Sequence, residues 1–559
     1  MLLILLSWIY IALTCLNFGF VFRRILKIDN CHFTIHHILG LFLYTITTSL
    51  AAFFMRIHIE YYVSVLILNC ILLIWFRADI KQLLNSVWHA IKNLKTPYKL
   101  LYLLLCILVL AQSATKPYLI DNESYYIQTI KWINEFGYVK GLANLHLFLG
   151  QNSSWHALQA GFNFPFITNC FNDINGFIFV LLGFLFIEKL NHNSNVQDYF
   201  LGLILVFSLF LMQFVNTPSP DLIIFLLTPY VVYEFLMNYN TISINTFKQL
   251  LSIVLFLCLV KVTMLVVSLL ILILFLKHYN ALKIYSIKFT LLCIGILGLF
   301  LFKNYIISGY LFYPTSALDI LNVDWKLPPE LLQLYKTGTY QSGFNNIDTS
   351  SFSFLETLKY WLQIPKLNGL FNKLFLFLLV LFPFCILKSK HKTQLLIVYL
   401  LGLVQLVIVW LNSPQYRFFF VFIVIFSLQI FVTLFKSQKL GLYLTCSAII
   451  LSAITIFIPL NLNAFTSNKF AMTLSNFKFK NIIIPENNTK TATTFSKVTV
   501  DGFDFYTPEK DVFFWGTGNG SLPCVNQQQV EYIKHYYHYI PKLRGNSLKD
   551  GFMSKKTNP

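Results

Sequence analysis

Asp121 and Glu123 stand just beyond a hydrophobic run, Leu100–Ala111, in a chain that is otherwise mostly apolar. A carboxylate at a membrane edge can take a proton from an incoming hydroxyl. The surrounding stretch, Lys116–Phe164, adds two large aromatics, Trp132 and Trp155, and the uncharged hydrogen-bonding groups Asn144, His146, Asn152 and His156. These are side chains that suit a sugar. Three cations elsewhere, Lys261, Lys303 and Arg417, have the chemistry to hold a phosphate, the arginine in a bidentate manner. Tyr126, Asn152, His156 and Asp221 are candidates for orienting substrate. Each has an ordinary alternative. Asp121 and Asp221 fit helix N-caps, and Glu123 fits a charge favoured at a helix N-terminus. Lys303 and Arg417 fit interfacial side chains that reach toward water.

These residues have to be positioned by membrane helices. Of the 559 residues 57% are hydrophobic and the mean hydropathy is +0.65, well above a soluble domain. Many windows reach the roughly 20 apolar residues of a bilayer crossing. The net charge of +19 lies largely in short loops between spans, where it reports orientation rather than nucleic-acid binding. The ten cysteines are scattered and show neither CxxC nor metal-ligand spacing.

Alternating the spans across the membrane gives a testable threading. Met1–Phe22 has no basic residues before it and Arg23, Arg24 and Lys27 after it, so it reads as a first span with its N-terminus outside. Ile35–Phe54 and Tyr61–Phe76 follow, then a basic loop with Arg77, Lys81, Lys92 and Lys95. Leu100–Ala111 then puts Asp121 outside. Leu250–Leu276, about 27 residues, is long for one span and short for two. Lys248 before it and Lys277 after it both read as cytoplasmic, so two half-length helices meeting at Lys261 preserve the alternation. An intramembrane lysine is costly and usually functional. The expected fold is an all-α polytopic membrane protein with about 12–14 membrane helices, the half-helix pair included. The membrane domain covers residues 1–460, with external loops 114–174 and 305–370. Residues 461–559 read as a small extracytoplasmic region of mixed or β character, with KNIIIP and DVFFWG as strands. Glu123–Phe136 reads as an amphipathic helix lying in the interface.

The acidic-aromatic run Asp121-Asn-Glu123-Ser-Tyr125-Tyr126, the run CLVKVTMLVV around Lys261, and KNYIISGYLFYP from Lys303 resemble the GT-C class of polytopic glycosyltransferases, which includes protein mannosyltransferases and the aminoarabinose transferase of lipid A. The resemblance implies a catalytic Asp or Glu in an external loop, a polyprenyl-phosphate sugar donor and an extracytoplasmic glycan or lipid acceptor. It also implies an optional divalent cation, Mg or Mn, as cofactor. A closer resemblance, to a family of uncharacterised bacterial membrane proteins, is carried by GLANLHLFLGQNSSWHAL, VDWKLP, PQYRFF and LRGNSLKDGF. It implies the architecture and a bacterial inner-membrane location, with no reaction attached. The chain departs from the GT-C pattern in having three spans before the acidic loop and Asn122 between the two acids. Tyr126 stands where the closer family has His.

The expected function is therefore an inverting membrane glycosyltransferase with Asp121, or Glu123, as general base. Two alternatives remain open at this point. One is an O-antigen polymerase or ligase, disfavoured because arginine is scarce. The other is a lipid-linked sugar flippase, which would show repeated halves; none is visible in the sequence.

Overall fold

The computed structural model describes residues 1–557 except 152, 169–170, 193, 436 and 510–511. Among the described residues, ten helices are long and apolar enough to cross a membrane. A bent pair, Ile59–Trp75 and Arg77–Asn93, makes eleven when taken as one span. Three shorter apolar helices, Ile244–Val260, Val262–Lys277 and Phe420–Leu434, complete the set. The expected 12–14 spans differ from this count because the third span and these short helices fall below full crossing length. The protein is a multi-pass membrane protein.

The basic stretch after the third span is not a loop. Arg77–Asn93 is a helix turned 83° from the helix before it. Its charged residues recur at helical spacing and only Leu83 is buried, so it runs along the bundle rather than through it.

Close helix packing needs small residues where backbones approach. Gly40 supplies one such contact: a Cβ there would lie 1.9 Å from the Cys15 carbonyl oxygen of the first helix.

The segment around Lys261 is a hairpin. Helix Ile244–Val260 ends there, and Lys261 itself is extended at φ −153°. The chain returns through Leu265–Lys277. Phe247, near the start of the first arm, meets Phe275, near the end of the second, at 6.0 Å between ring centroids, so the arms run antiparallel. The feet of the hairpin rest on one face: Lys248 donates to the Lys27 carbonyl at 2.8 Å, Gln249 to that of Asn30 at 2.9 Å, and His278 meets the Tyr239 carbonyl at 3.0 Å. The tip reaches the other face, where Ser153 donates to the Val260 carbonyl at 2.6 Å. The half-helix pair expected at Lys261 is thus present, with both ends on the basic face.

The C-terminal region sits on the tip's face. It contains two antiparallel ribbons, β1 (Phe495–Val500) with β2 (Phe503–Pro508), and β3 (Tyr539–Leu543) with β4 (Phe552–Lys556). Helix Gln527–Tyr537 lies between them. Among the described residues the strands expected at KNIIIP and DVFFWG are absent; Asp511 of the second lies outside the described residues. Phe479–Ile482 is a 3-10 turn, closed by the Asn481 side chain, which accepts from the Lys478 N–H at 2.7 Å and donates to the Ile484 carbonyl at 3.3 Å. Val512–Gly516 turns instead of extending, with the Gly516 N–H donating to the Phe513 carbonyl at 2.7 Å. Among the described residues neither stretch has a neighbouring strand to pair with, and a lone strand is not stable.

Candidate functional site

The acidic loop opens with a five-residue π-helical turn, Asn122–Tyr126, continuing into the helix Ile127–Phe136. Such turns are rare and gather at functional sites. Asp121 precedes it, yet its carboxylate makes no capping bond. It pairs with the Arg417 guanidinium and accepts from the Tyr126 hydroxyl at 3.5 Å. Asp221, in the first turn of the helix Asp221–Asn238, pairs with the Lys261 ammonium at the hairpin tip. The Phe418 ring joins the two pairs: Lys261 Nζ lies 4.5 Å and the Arg417 guanidinium carbon 5.0 Å from its centroid. Four charges from four distant parts of the chain therefore share one spot. Asp221 is buried, while Asp121, Lys261 and Arg417 remain partly accessible. Burial alone would lower the Arg417 pKa, but Asp121 and Asp221 hold it above its ordinary value. Its Nε is buried and, among the described residues, has no hydrogen-bond partner.

Uncharged groups fix each member. Asn175 donates to the carbonyls of Phe214, Thr217 and Ser219 at 2.9, 2.6 and 2.9 Å. Asn216 ties the same turn to the acidic loop through Thr115 Oγ1 at 2.9 Å and the Lys116 carbonyl at 2.7 Å. These contacts set where Asp221 begins its helix. Arg417 is set by the long loop before it. Trp361 donates to the Pro414 carbonyl at 2.7 Å, Ser413 to the Thr339 carbonyl at 2.7 Å, and Gln415 to Ser342 Oγ at 2.6 Å.

Lys303 lies deeper. It is buried, donates to Ser154 Oγ at 3.2 Å, and among the described residues has no carboxylate partner. His156 is close by, its ring 4.7 Å from that of Tyr126. Burial, reinforced by the Lys303 charge, pushes His156 down to about 3, so its ring is neutral.

Glu123 has another setting. Its side chain accepts from the Lys490 N–H at 2.6 Å, and its backbone carbonyl accepts from the N–H groups of Thr517 and Gly518, both at 2.8 Å. Gly518, at φ +53°, takes a left-handed conformation that glycine adopts freely. Glu123 thus holds the C-terminal region against the loop, as do Gln128, which donates to the Gly520 carbonyl at 3.0 Å, and Ser124, which donates to that of Trp515 at 3.2 Å. The C-terminal region covers this side of the helix Ile127–Phe136 through these contacts. Trp132 and Trp155 are fully buried, so neither offers a sugar a ring face; Phe418 is only partly buried. His146 meets the Trp515 carbonyl at 3.2 Å and Asn144 donates to that of Trp325 at 2.8 Å, so both tie loops together. Asn152 lies outside the described residues.

The family model named Domain of unknown function (DUF8201) matches residues 1–424. The chain belongs to this family. The match takes in the acidic loop, Asp221, Lys261, Lys303 and Arg417, and leaves out the C-terminal region that covers them. No curated protein and no solved structure matches the DUF8201 chain.

Among the described residues no three His, Cys, Asp or Glu side chains gather into a metal-binding group. Asp121 and Asp221 are each held by a cationic side chain. The residues present do not fit a divalent cation. Sequence reasoning missed Phe418, Ser154 and Lys490. A lone phenylalanine, serine or lysine carries no signal until the fold brings it beside a partner.

Two predictions arise from these contacts. Asp221→Asn leaves Lys261 without its counter-charge, and breaking a largely buried pair costs about 3 kcal/mol. Thermal unfolding in lipid nanodiscs should show that loss, and the double variant Asp221→Asn, Lys261→Met should recover most of it. An additive double variant would refute the coupling. For Glu123, burial outweighs the Lys490 N–H and pushes the carboxyl from 4.5 up to about 7. The folded state holds this proton more tightly than the unfolded one. The resulting stability is full below about pH 4.5 and is lost as pH rises to about 7. The span corresponds to about 3 kcal/mol. Tm should therefore fall between pH 5 and pH 8, and Glu123→Gln should remove that component of the slope.

Proposed function

We propose that this protein is an inverting glycosyltransferase of the GT-C type. It transfers a sugar from a polyprenyl-phosphate donor to a cell-envelope glycan or lipid. The observation that carries this is the convergence of Asp121, Arg417, Asp221 and Lys261 on Phe418, beside a buried Lys303 that lacks a carboxylate partner among the described residues. A buried ammonium is costly without an anion, and a donor phosphate is an anion of the right kind. Asp121 takes the proton from the acceptor hydroxyl as that oxygen attacks the anomeric carbon. The bond from that carbon to the phosphate oxygen breaks, and the phosphate leaves with the electron pair. Lys303, Arg417 and Lys261 hold it. Tyr126, His156 and Asp221 orient the sugar and acceptor. Asp121 is preferred to Glu123 as base because it is accessible and Glu123 is bound to the C-terminal region. The face carrying Lys27, Lys248 and Lys277 is cytoplasmic by the positive-inside rule, which sets the site on the outer side of a bacterial inner membrane.

The hairpin favours a second reading, since broken helices also build transporter sites. Reconstituted protein supplied with a radiolabelled polyprenyl-phosphate sugar separates the two. Label that appears in an envelope acceptor supports transfer. Label that crosses the bilayer with its lipid unchanged supports transport.

A further inference from the structure

The C-terminal region is inverted at one place. In the turn Phe479–Ile482 and the residues after it, an amide and a carboxylate are buried while four large apolar side chains point out. Asn481 is fully buried, and Glu486 is buried against Lys478 and Lys480 at 3.7 and 3.1 Å. Phe479 is 89% exposed, and Ile482, Ile483 and Ile484 are exposed beside it. In water this arrangement is unfavourable, because each large apolar side chain gains by leaving the solvent.

The segment's height in the molecule is fixed at both ends by membrane helices. Before it, the Phe477 N–H donates to the Ile456 carbonyl at 2.9 Å, at the end of the span Gln438–Phe457. Within it, the Met1 amine donates to the Asn481 carbonyl, and the Leu3 N–H to that of Ile483 at 3.3 Å, at the start of the span Leu2–Leu26. Both spans expose apolar side chains here: Ile454, Phe457 and Ile458 on one, Leu2, Leu5 and Leu6 on the other. The outward face of the turn continues these two surfaces. Lys478 and Lys480, both exposed, flank it at the level of lipid headgroups.

We propose that residues 478–484 form a wedge inserted into the outer edge of the lipid bilayer, and that the wedge fixes the C-terminal region over the acidic loop. The chain leaves it through the Glu486 N–H, which donates to the Ala114 carbonyl at 2.9 Å. It then reaches the Asn488 carbonyl, which accepts from Asn122 at 2.8 Å, and the Lys490 N–H on Glu123. The partner is lipid, and the contact does not depend on what the site transfers.

A nitroxide at position 479 tests the insertion. Phe479→Cys is made in the full chain with its native cysteines replaced, and the labelled protein is placed in phosphatidylethanolamine–phosphatidylglycerol nanodiscs. Collisions with oxygen should dominate over those with a water-soluble nickel chelate, as for a label at Ile9 on the first span. A nickel-dominated signal like that of a label at Lys497 overturns the proposal. The pair Phe479→Asp, Ile484→Asp tests the alignment. Amide hydrogen exchange at Lys490 and Thr517 should rise about tenfold or more as the covering segment loosens. Unchanged exchange at both overturns the claim that the wedge fixes the region.

Discussion

Asp121→Asn is expected to reduce sugar transfer by about 10² to 10⁴-fold, the usual contribution of a general base. The asparagine keeps the size and one carbonyl oxygen for Arg417 and Tyr126, so the fold should survive. It cannot accept the acceptor's proton. The measurement is transfer from a radiolabelled polyprenyl-phosphate sugar, with donor binding followed in parallel. Binding within a few-fold of wild type together with lost transfer is the signature of a missing base. Full transfer by the asparagine variant would remove Asp121 from the chemistry. Glu123→Gln is the matched control. Its contacts are with Lys490 and the C-terminal region, so it should alter stability and its pH dependence more than transfer.

The second large effect concerns Lys303. Methionine matches its length and is content in an apolar setting. Because the ammonium lacks a carboxylate partner among the described residues, Lys303→Met should leave stability unchanged or raise it by about 1 to 4 kcal/mol. Donor binding should weaken at least about tenfold, which is 1.4 kcal/mol. The opposite signs are the informative part. A lysine kept only for the fold would lower stability when replaced, and a lysine kept for a ligand lowers binding alone. Farnesyl phosphate, titrated into wild type and variant, reads the second quantity, and thermal unfolding reads the first. Destabilisation with unaltered binding would mark Lys303 as structural.

Much of the membrane architecture was legible because lipid imposes strict rules on sequence. Apolar run length and the placement of Lys and Arg were enough to find the spans. The alternation of faces, with Lys248 and Lys277 on the same side, was enough to infer the break at Lys261, and the Phe247–Phe275 contact bears this out. The C-terminal region obeys no such rule. Ile482–Ile484 and Val512–Trp515 have strand-like composition, but a strand exists only where another segment pairs with it along its length, and beside Ile482–Ile484 only the Leu3 N–H reaches the Ile483 carbonyl, at 3.3 Å. The ribbon Phe495–Pro508 forms instead around Asp501 and Gly502, both at positive φ. At the candidate site, some of the residues picked out by type lie together. Asp121, Asp221, Lys261 and Arg417 do meet, from positions up to 296 residues apart. What composition hid was pairing. Asp121 and Asp221 each meet a cation, Glu123 faces a backbone N–H from the C-terminal region, and Lys303 meets a hydroxyl. Those distinctions depend on contacts that sequence spacing does not encode. Trp132 and Trp155 were misleading for the same reason, since a tryptophan beside polar residues can equally fill a core.

Thr517, which holds the Glu123 backbone, is made 394 residues after it. At about 5 to 20 residues per second, the acidic loop waits roughly 20 to 80 seconds for the segment that completes it. During that interval the Glu123 carboxylate has neither the Lys490 N–H nor the cover of the later chain, and nothing yet buries it. Arg417 is made before Thr517. The ion pair can therefore assemble first and be enclosed last, the charges finding one another while water still fills the space around them.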